Sequence, residues 1–296
     1  MIIGHQKQWE FLKRSAESGK LSHAYLFSGQ KKLGKKTVAL EWISSLFGQP
    51  PTKLLVGSHP DFILVEPINR EIQISQIRDL NWRLSLKPLI SQLKAAIIDQ
   101  AHLMNEEAQN CFLKTLEEPK GKTILILITE WPEILLPTIR SRCEIIKFYP
   151  VPRLEIENYL KAKTGGGWVA FKEKVKEIAT ISLGRPGVAI DFISDPQKLE
   201  NQKKIIKELI EISSSPLASR FQYARGLAKT PNLKEILDIW LSYFRNILLE
   251  KCLTPEVKHP VSKLKNIIKQ IQNTNFLLST TNVNPRLALE ILMIEL

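Results

Sequence analysis

Residues 24–37 read AYLFSGQKKLGKKT, and the order of residue types along them decides the fold. Ala24 to Ser28 is a short apolar run of the kind that forms a buried strand. Gly29 ends it, Gly34 follows, and from Lys36 to Phe47 the apolar spacing is that of a helix. Strand, glycine loop and helix in succession are the layout of a phosphate loop. Gly29 and Gly34 let backbone N–H groups wrap phosphates, the helix N-terminus adds its dipole, and Lys35 can reach the outer phosphates. The pattern departs from the motif at one position. A Ser or Thr should follow the lysine and ligate Mg²⁺, but here Lys36 does, and the hydroxyl comes one residue late at Thr37. One residue is ~100° of helix rotation, so Thr37 is expected to face away from a metal. The plain alternative is a glycine turn carrying solvated lysines.

Outward from this loop the first half of the chain alternates strand-like and helical stretches. FILVE (62–66), AAIID (95–99), ILILIT (124–129) and the run 144–148 read as further strands. Helical spacing occupies about 74–86 and 106–118, the latter stopped by Pro119, with a short helix over 135–141. Continuous apolar strands alternating with helices predict a parallel sheet covered on both faces. After Tyr149-Pro150-Val151-Pro152 no strand-like run is seen. Helical stretches at about 153–163, 170–182 and 186–193, broken at Gly165-Gly166-Gly167 and Gly184-Arg185-Pro186-Gly187, predict a small helical unit over 151–196. A third, all-helical unit is expected over 197–296, behind an α/β domain of 1–150. Its helix from Leu233 carries apolar residues at 233, 236, 237, 240, 241, 244, 247 and 248, a stripe suited to intradomain core or to a partner.

Composition narrows the function classes. Of 296 residues 44% are hydrophobic and 24% charged, ordinary for a globular chain and unlike a disordered or fibrous one. No uncharged apolar run approaches the ~20 residues that cross a bilayer, and the first eight residues hold no apolar signal core, so a cytoplasmic protein without a membrane partner is expected. Three widely spaced cysteines, Cys111, Cys143 and Cys252, form no C-x-x-C pair, so neither zinc nor any other metal site is expected. The net charge of +12 is spread, with 20 basic against 15 acidic residues in 1–150 and 22 against 15 in 151–296. Such charge fits a polyanion partner such as DNA, or a merely basic soluble protein. The six tryptophans are scattered, which suits packing, and Lys263, Lys265, Lys269 and Arg286 fit a solvated helix face.

Asp99 ends the AAIID strand, where a nucleoside triphosphatase of this layout keeps the Asp that holds Mg²⁺. The following residue should be a Glu that takes a proton from the attacking water, and it is Gln100. An amide can orient water but cannot accept its proton. With the metal hydroxyl also displaced, the loop could hold ATP, and no hydrolysis in cis is expected. His102 is read as structural.

The segment CFLKTLEEP (111–119), followed by LPTIRSRC (136–143), closely resembles the AAA+ clamp-loader family, as do LSHAYLF (21–27) and His59-Pro60-Asp61. The likeness is specific over about 1–150 and architectural beyond. It implies an α/β AAA+ P-loop domain, a small helical lid and an all-α C-terminal collar that holds a ring. By the same resemblance Ser141-Arg142-Cys143 carries an arginine finger, Arg142, that reaches a neighbour's ATP, and Thr129 takes the sensor-1 place. The implied partners are the gamma/tau and delta clamp-loader subunits, the sliding clamp and primed DNA, the implied work being clamp loading within a bacterial DNA polymerase III. The four-cysteine zinc module that some relatives carry is missing, since residues 38–94 contain no cysteine. Three residues after Gly184, where a sensor-2 Arg belongs, stands Gly187. Lys36 and Gln100 separate the chain from an active gamma/tau-type ATPase, the alternative that Lys35 and Asp99 would favour.

Overall fold

Apolar runs bounded by Gly, Pro or Asp become strands, and the periodic stretches between them become helices. In the computed structural model these are α1 (Gln6–Glu17), β1 (Ala24–Ser28), α2 (Lys35–Phe47), α3 (Pro51–Leu55), β2 (Phe62–Val65), α4 (Ile74–Ser85), β3 (Lys94–Ile98), α5 (Glu106–Glu117), β4 (Thr123–Thr129), α6 (Pro137–Arg140), β5 (Glu144–Lys147) and α7 (Arg153–Thr164). The structure describes residues 2–55, 59–69, 71–164, 169–253, 261–280 and 283–296. The expected glycine break at 165–167, together with Trp168 and Ser58, lies outside them.

The five strands form one parallel sheet in the order β2-β3-β4-β1-β5. Ala24 pairs with Leu125 and Ser28 with Thr129, while Val65 pairs with Ile98. Parallel neighbours need crossovers, and the helices supply them. A period of two along each strand then sorts the core into two faces. Ala24, Leu26, Ala96, Ile98, Leu125 and Leu127 pack with Ile77, Leu80 and Leu84 of α4 and Phe112 and Leu116 of α5. Tyr25, Phe27, Ala95, Ile97, Ile124, Ile126 and Ile128 pack with Leu12 of α1 and Val38, Trp42 and Ile43 of α2. Strands β1, β3 and β4 are buried at every position, as continuous apolar runs predict. The edge strand β5 buries only Ile146. The expected α/β class is therefore the observed one. Helix α1 was not anticipated, because Leu12 is its one fully buried residue and the apolar signal is thin. The predicted strand through Glu66 ends at Val65.

Packing divides the chain into two compact units, Met1–Gly165 with Arg185–Val188, and Gly166–Gly184 with Ala189–Leu296. The first thus takes in α7, past the Pro150-Val151-Pro152 boundary. The remaining helices are α8 (Val169–Ile181), α9 (Pro186–Ser194), α10 (Pro196–Ser213), α11 (Leu217–Leu227), α12 (Leu233–Leu253), α13 (Val261–Thr280) and α14 (Pro285–Glu295). Their starts are written in the sequence. Asp195 and Asn284 accept N–H bonds from Gln197 and Arg286, and Pro196 and Pro285 fill first-turn positions that need no donor. Leu209, Leu237, Trp240, Phe244, Leu264, Ile271, Leu289 and Leu292 form the core of the second unit. No described helix is long and apolar enough to cross a membrane.

Candidate functional site

The loop and the acidic residue meet because β1, β3 and β4 end together, at the carboxyl edge of the sheet where α/β folds place ligands. Gly29 donates its N–H to the Thr129 carbonyl at 3.2 Å. Its φ is 150°, and a Cβ there would lie 2.5 Å from the Phe148 carbonyl oxygen, so glycine is required on both counts. Gly34, at φ 100°, precedes α2 as its N-cap. From the far side His5 Nε2 lies 2.9 Å from the Leu33 carbonyl oxygen and its ring sits edge-on to Phe148.

Lys35 is buried and turned back into the loop, its Nζ donating to the carbonyls of Gly29 at 2.5 Å and Gln30 at 2.7 Å. Burial pulls its pKa down to about 8, with Glu130 and Asp99 opposing and Lys31 reinforcing the fall. Lys36 Nζ lies 2.5 Å from Glu66 Oε1 and 3.3 Å from Asp99 Oδ2. Despite the cost of burial, these carboxylates hold the Lys36 ammonium above its ordinary pKa. Thr37 is exposed. Asp99 Oδ1 accepts the N–H of Gln100, whose backbone is left-handed at φ 53°.

Beside these groups Thr129 is buried, with its Oγ1 accepting the Trp131 N–H at 3.0 Å and lying 3.2 Å from His102 Nδ1. Burial drives His102 down to about 4, helped by the charges of Lys35 and Lys31, so the imidazole is neutral at pH 7. The structure thus brings Gly29, Gly34, Lys35, Lys36, Asp99 and Thr129 to one edge and adds His102, Glu66 and His5. Glu66 and His5 carry no local signal, while His102, neutral and set against Thr129, suits a structural reading.

A Mg²⁺ ion does not fit these residues. The position that should offer a hydroxyl offers an ammonium, and that ammonium already lies on the carboxylate that should bind the metal. Among the described residues no cluster of three or more His, Cys, Asp or Glu could hold a metal. The place that the resemblance gives to a sensor-2 Arg is crowded. Gly187 donates its N–H to the Lys32 carbonyl at 2.9 Å, and a Cβ there would stand 3.0 Å from that oxygen.

Arg142 follows α6 and precedes β5. Its Nη2 lies 2.9 Å from Glu117 Oε1 and its Nη1 donates to the Thr138 carbonyl at 3.0 Å. Ser141 donates to the same carbonyl. Cys143 is buried in the sheet core and its thiol is pushed up to about 12, so it is no nucleophile at neutral pH.

The family profile described as "DNA polymerase III, delta subunit" matches residues 4–152. DNA polymerase III subunit delta' of Pseudomonas aeruginosa is 33% identical over 223 residues, covering 67% of this chain and 65% of that one. Subunit delta' of Bacillus subtilis is 40% identical over 162 residues, 51% of this chain and 49% of that one. The matched stretch thus spans about half to two-thirds of the length of these relatives. Subunit gamma of Buchnera aphidicola is 28% identical across 97% of this chain and 83% of its own. On the match across residues 4–152 and the identity to the two delta' subunits, the chain belongs to the DNA polymerase III delta-subunit family, on the delta' side of it.

Proposed function

We propose that this chain is a cytoplasmic subunit of a bacterial DNA polymerase III clamp loader that does not turn over nucleotide by itself. It joins gamma/tau and delta subunits in a ring, helps place the sliding clamp on primed DNA, and presents Arg142 to the ATP of a neighbouring subunit. Residues 1–150 serve as the nucleotide-binding-like domain, 151–196 as the lid and 197–296 as the collar. The ion pair between Lys36 and Asp99 carries the reading. It fills the place of the hydrolytic metal while the loop around Lys35 keeps the form that cradles phosphates. Gln100 adds to it, since no carboxylate follows Asp99 to take a proton from water. The basic charge of +12 suits a DNA backbone.

Mixing the purified chain with gamma/tau and delta subunits tests this. Co-elution as one complex, with phosphate release by the chain alone at background, is the expected result. Turnover by the chain alone near the ~1–100 s⁻¹ of phosphoryl-transfer enzymes would make it an active gamma/tau-type ATPase instead. Failure to co-elute would leave only a free-standing nucleic-acid binder.

A further inference from the structure

The positive charge of the chain is uneven at one place. Residues 257–289 contain no Asp or Glu, the longest such stretch in a chain that has 30 of them. Helix α13 lies inside it and carries Lys263, Lys265 and Lys269 with no acidic side chain of its own. Leu264, Ile267 and Ile271 give this helix its core face. Away from the core, Lys265, Asn266, Lys269, Asn273 and Phe276 are exposed. Spacings of three and four make these five neighbours on one strip. The strip is about 17 Å long at 1.5 Å per residue.

Local partners separate the cations in and beside this helix. Lys263 donates to the Leu296 carbonyl at 3.2 Å, and Arg286 lies 2.7 Å from Glu290. Among the described residues Lys265 and Lys269 form no ion pair. With no carboxylate on the helix to oppose them, these two ammonium groups are free to hold a polyanion. Asn266 and Asn273 beside them carry amides that can donate to phosphate oxygens. Phe276, 40% exposed, ends the strip with a ring on which a base can stack. Lysines, amides and one aromatic in a row suit a nucleic-acid strand better than a protein contact, whose centre is apolar and poor in lysine. We infer that this strip of α13 binds single-stranded DNA, with Lys265 and Lys269 on its phosphates and Phe276 against a base. A single strand is favoured over a duplex because its unpaired bases can reach the ring. The inference rests on the clamp-loader reading only in taking the nucleic acid to be DNA, and it gives that DNA a place on the second unit.

Fluorescence anisotropy of the full chain with a labelled oligothymidylate, across a range of salt, tests this. Wild type should bind, with affinity falling as salt rises. The double variant Lys265→Gln, Lys269→Gln should bind about tenfold more weakly at low salt. It should also lower the slope of log affinity against log salt by about 1.4, two phosphates at ~0.7 each. Phe276→Leu should weaken binding about fivefold or more and leave the slope unchanged. Arg286→Gln, at a cation already paired, is the control and should bind as wild type does. Circular dichroism shows whether each variant folds. Absence of wild-type binding at low salt overturns the inference, as does wild-type affinity and slope in a folded double variant. Duplex DNA bound as tightly as the single strand overturns it too. A double variant that binds DNA normally but no longer co-elutes with gamma/tau and delta subunits would make the strip a protein contact instead. The clamp-loader reading itself is judged separately, by co-elution of the wild-type chain.

Discussion

At Arg142 the proposed trans-acting role sets a cheap local partner against a distant one. The side chains of Arg142 and Glu117 are 36% and 49% exposed, so their ion pair is worth only ~0–1 kcal/mol. An arginine aimed at the charge developing on a transferring phosphate is worth ~10³–10⁵ in rate. If Arg142 takes the proposed trans-acting role, leaving Glu117 therefore costs it little. Arg142→Ala should leave melting nearly unchanged and the complex assembled, yet sharply lower its DNA-stimulated ATP hydrolysis. Arg142→Lys should not restore the rate, since a point charge lacks the planar fork. Glu117→Gln should keep or raise it. Full ATPase activity in the Arg142→Ala complex would end the trans-acting role. His102 makes a second prediction. Its imidazole titrates near 4 in the fold and 6.5 outside it, so the unfolded chain binds more protons in that interval. Stability is then complete above pH 6.5 and falls as pH drops toward 4, by about 2 kcal/mol between pH 7 and pH 5. His102→Gln should flatten that slope in urea melts, and equal slopes in variant and wild type would show that the protonated ring is tolerated.

At the scale of the element, Asp61 shows how one turn organises a loop. It is fully buried, and its carboxylate accepts N–H bonds from Leu89 at 2.7 Å and from Ile90 and Ser91 at 2.8 Å. Burial alone would raise its pKa, but these donors and His59 hold it below the usual value. Its contribution is present above the ordinary carboxylate range and lost as pH falls through the folded value. Asp61→Ala leaves three donors without an acceptor and should cost ~2–4 kcal/mol. Hydrogen exchange at Leu89, Ile90 and Ser91 should quicken, and unchanged protection would show that the loop is held by something else. This tie joins residues far apart in the chain, and it marks where sequence reading stops. The strands and the phosphate loop were legible because burial and glycine conformation are local signals. Strand order and the grip of Glu66 on Lys36 follow from register and crossover, which no local pattern encodes, and the mostly polar α1 carries too few apolar residues to stand out. Arg142 was legible as a motif, while its resting place on Glu117 was not.

For the molecule as a whole, the proposed ring requires an apolar surface that is left to hold it together. The stripe on α12, suited by its spacing to a core or to a partner, serves the core. Leu237, Trp240, Leu241 and Phe244 are core, with Ile236, Ile247 and Leu248 packed against them. Sequence periodicity could not separate these uses, because a core-facing and a partner-facing stripe look alike. Helix α14 is different. It buries Ala288, Leu289, Leu292 and Met293 and leaves Leu287, Ile291 and Ile294 at 57%, 57% and 60% exposure. Spacings of four and three put these three on one face. If the second unit is the collar, this face is where a neighbouring subunit should press. Ile291→Glu removes no core contact, so the fold should lose no more than ~0.5 kcal/mol. A carboxylate buried at an interface without a partner is costly, and co-elution with gamma/tau and delta subunits should weaken about tenfold or more. Ile68→Glu, at an equally exposed site in the sheet unit, is the control and should co-elute as wild type does. An Ile291→Glu chain that assembles normally would exclude α14 from the contact.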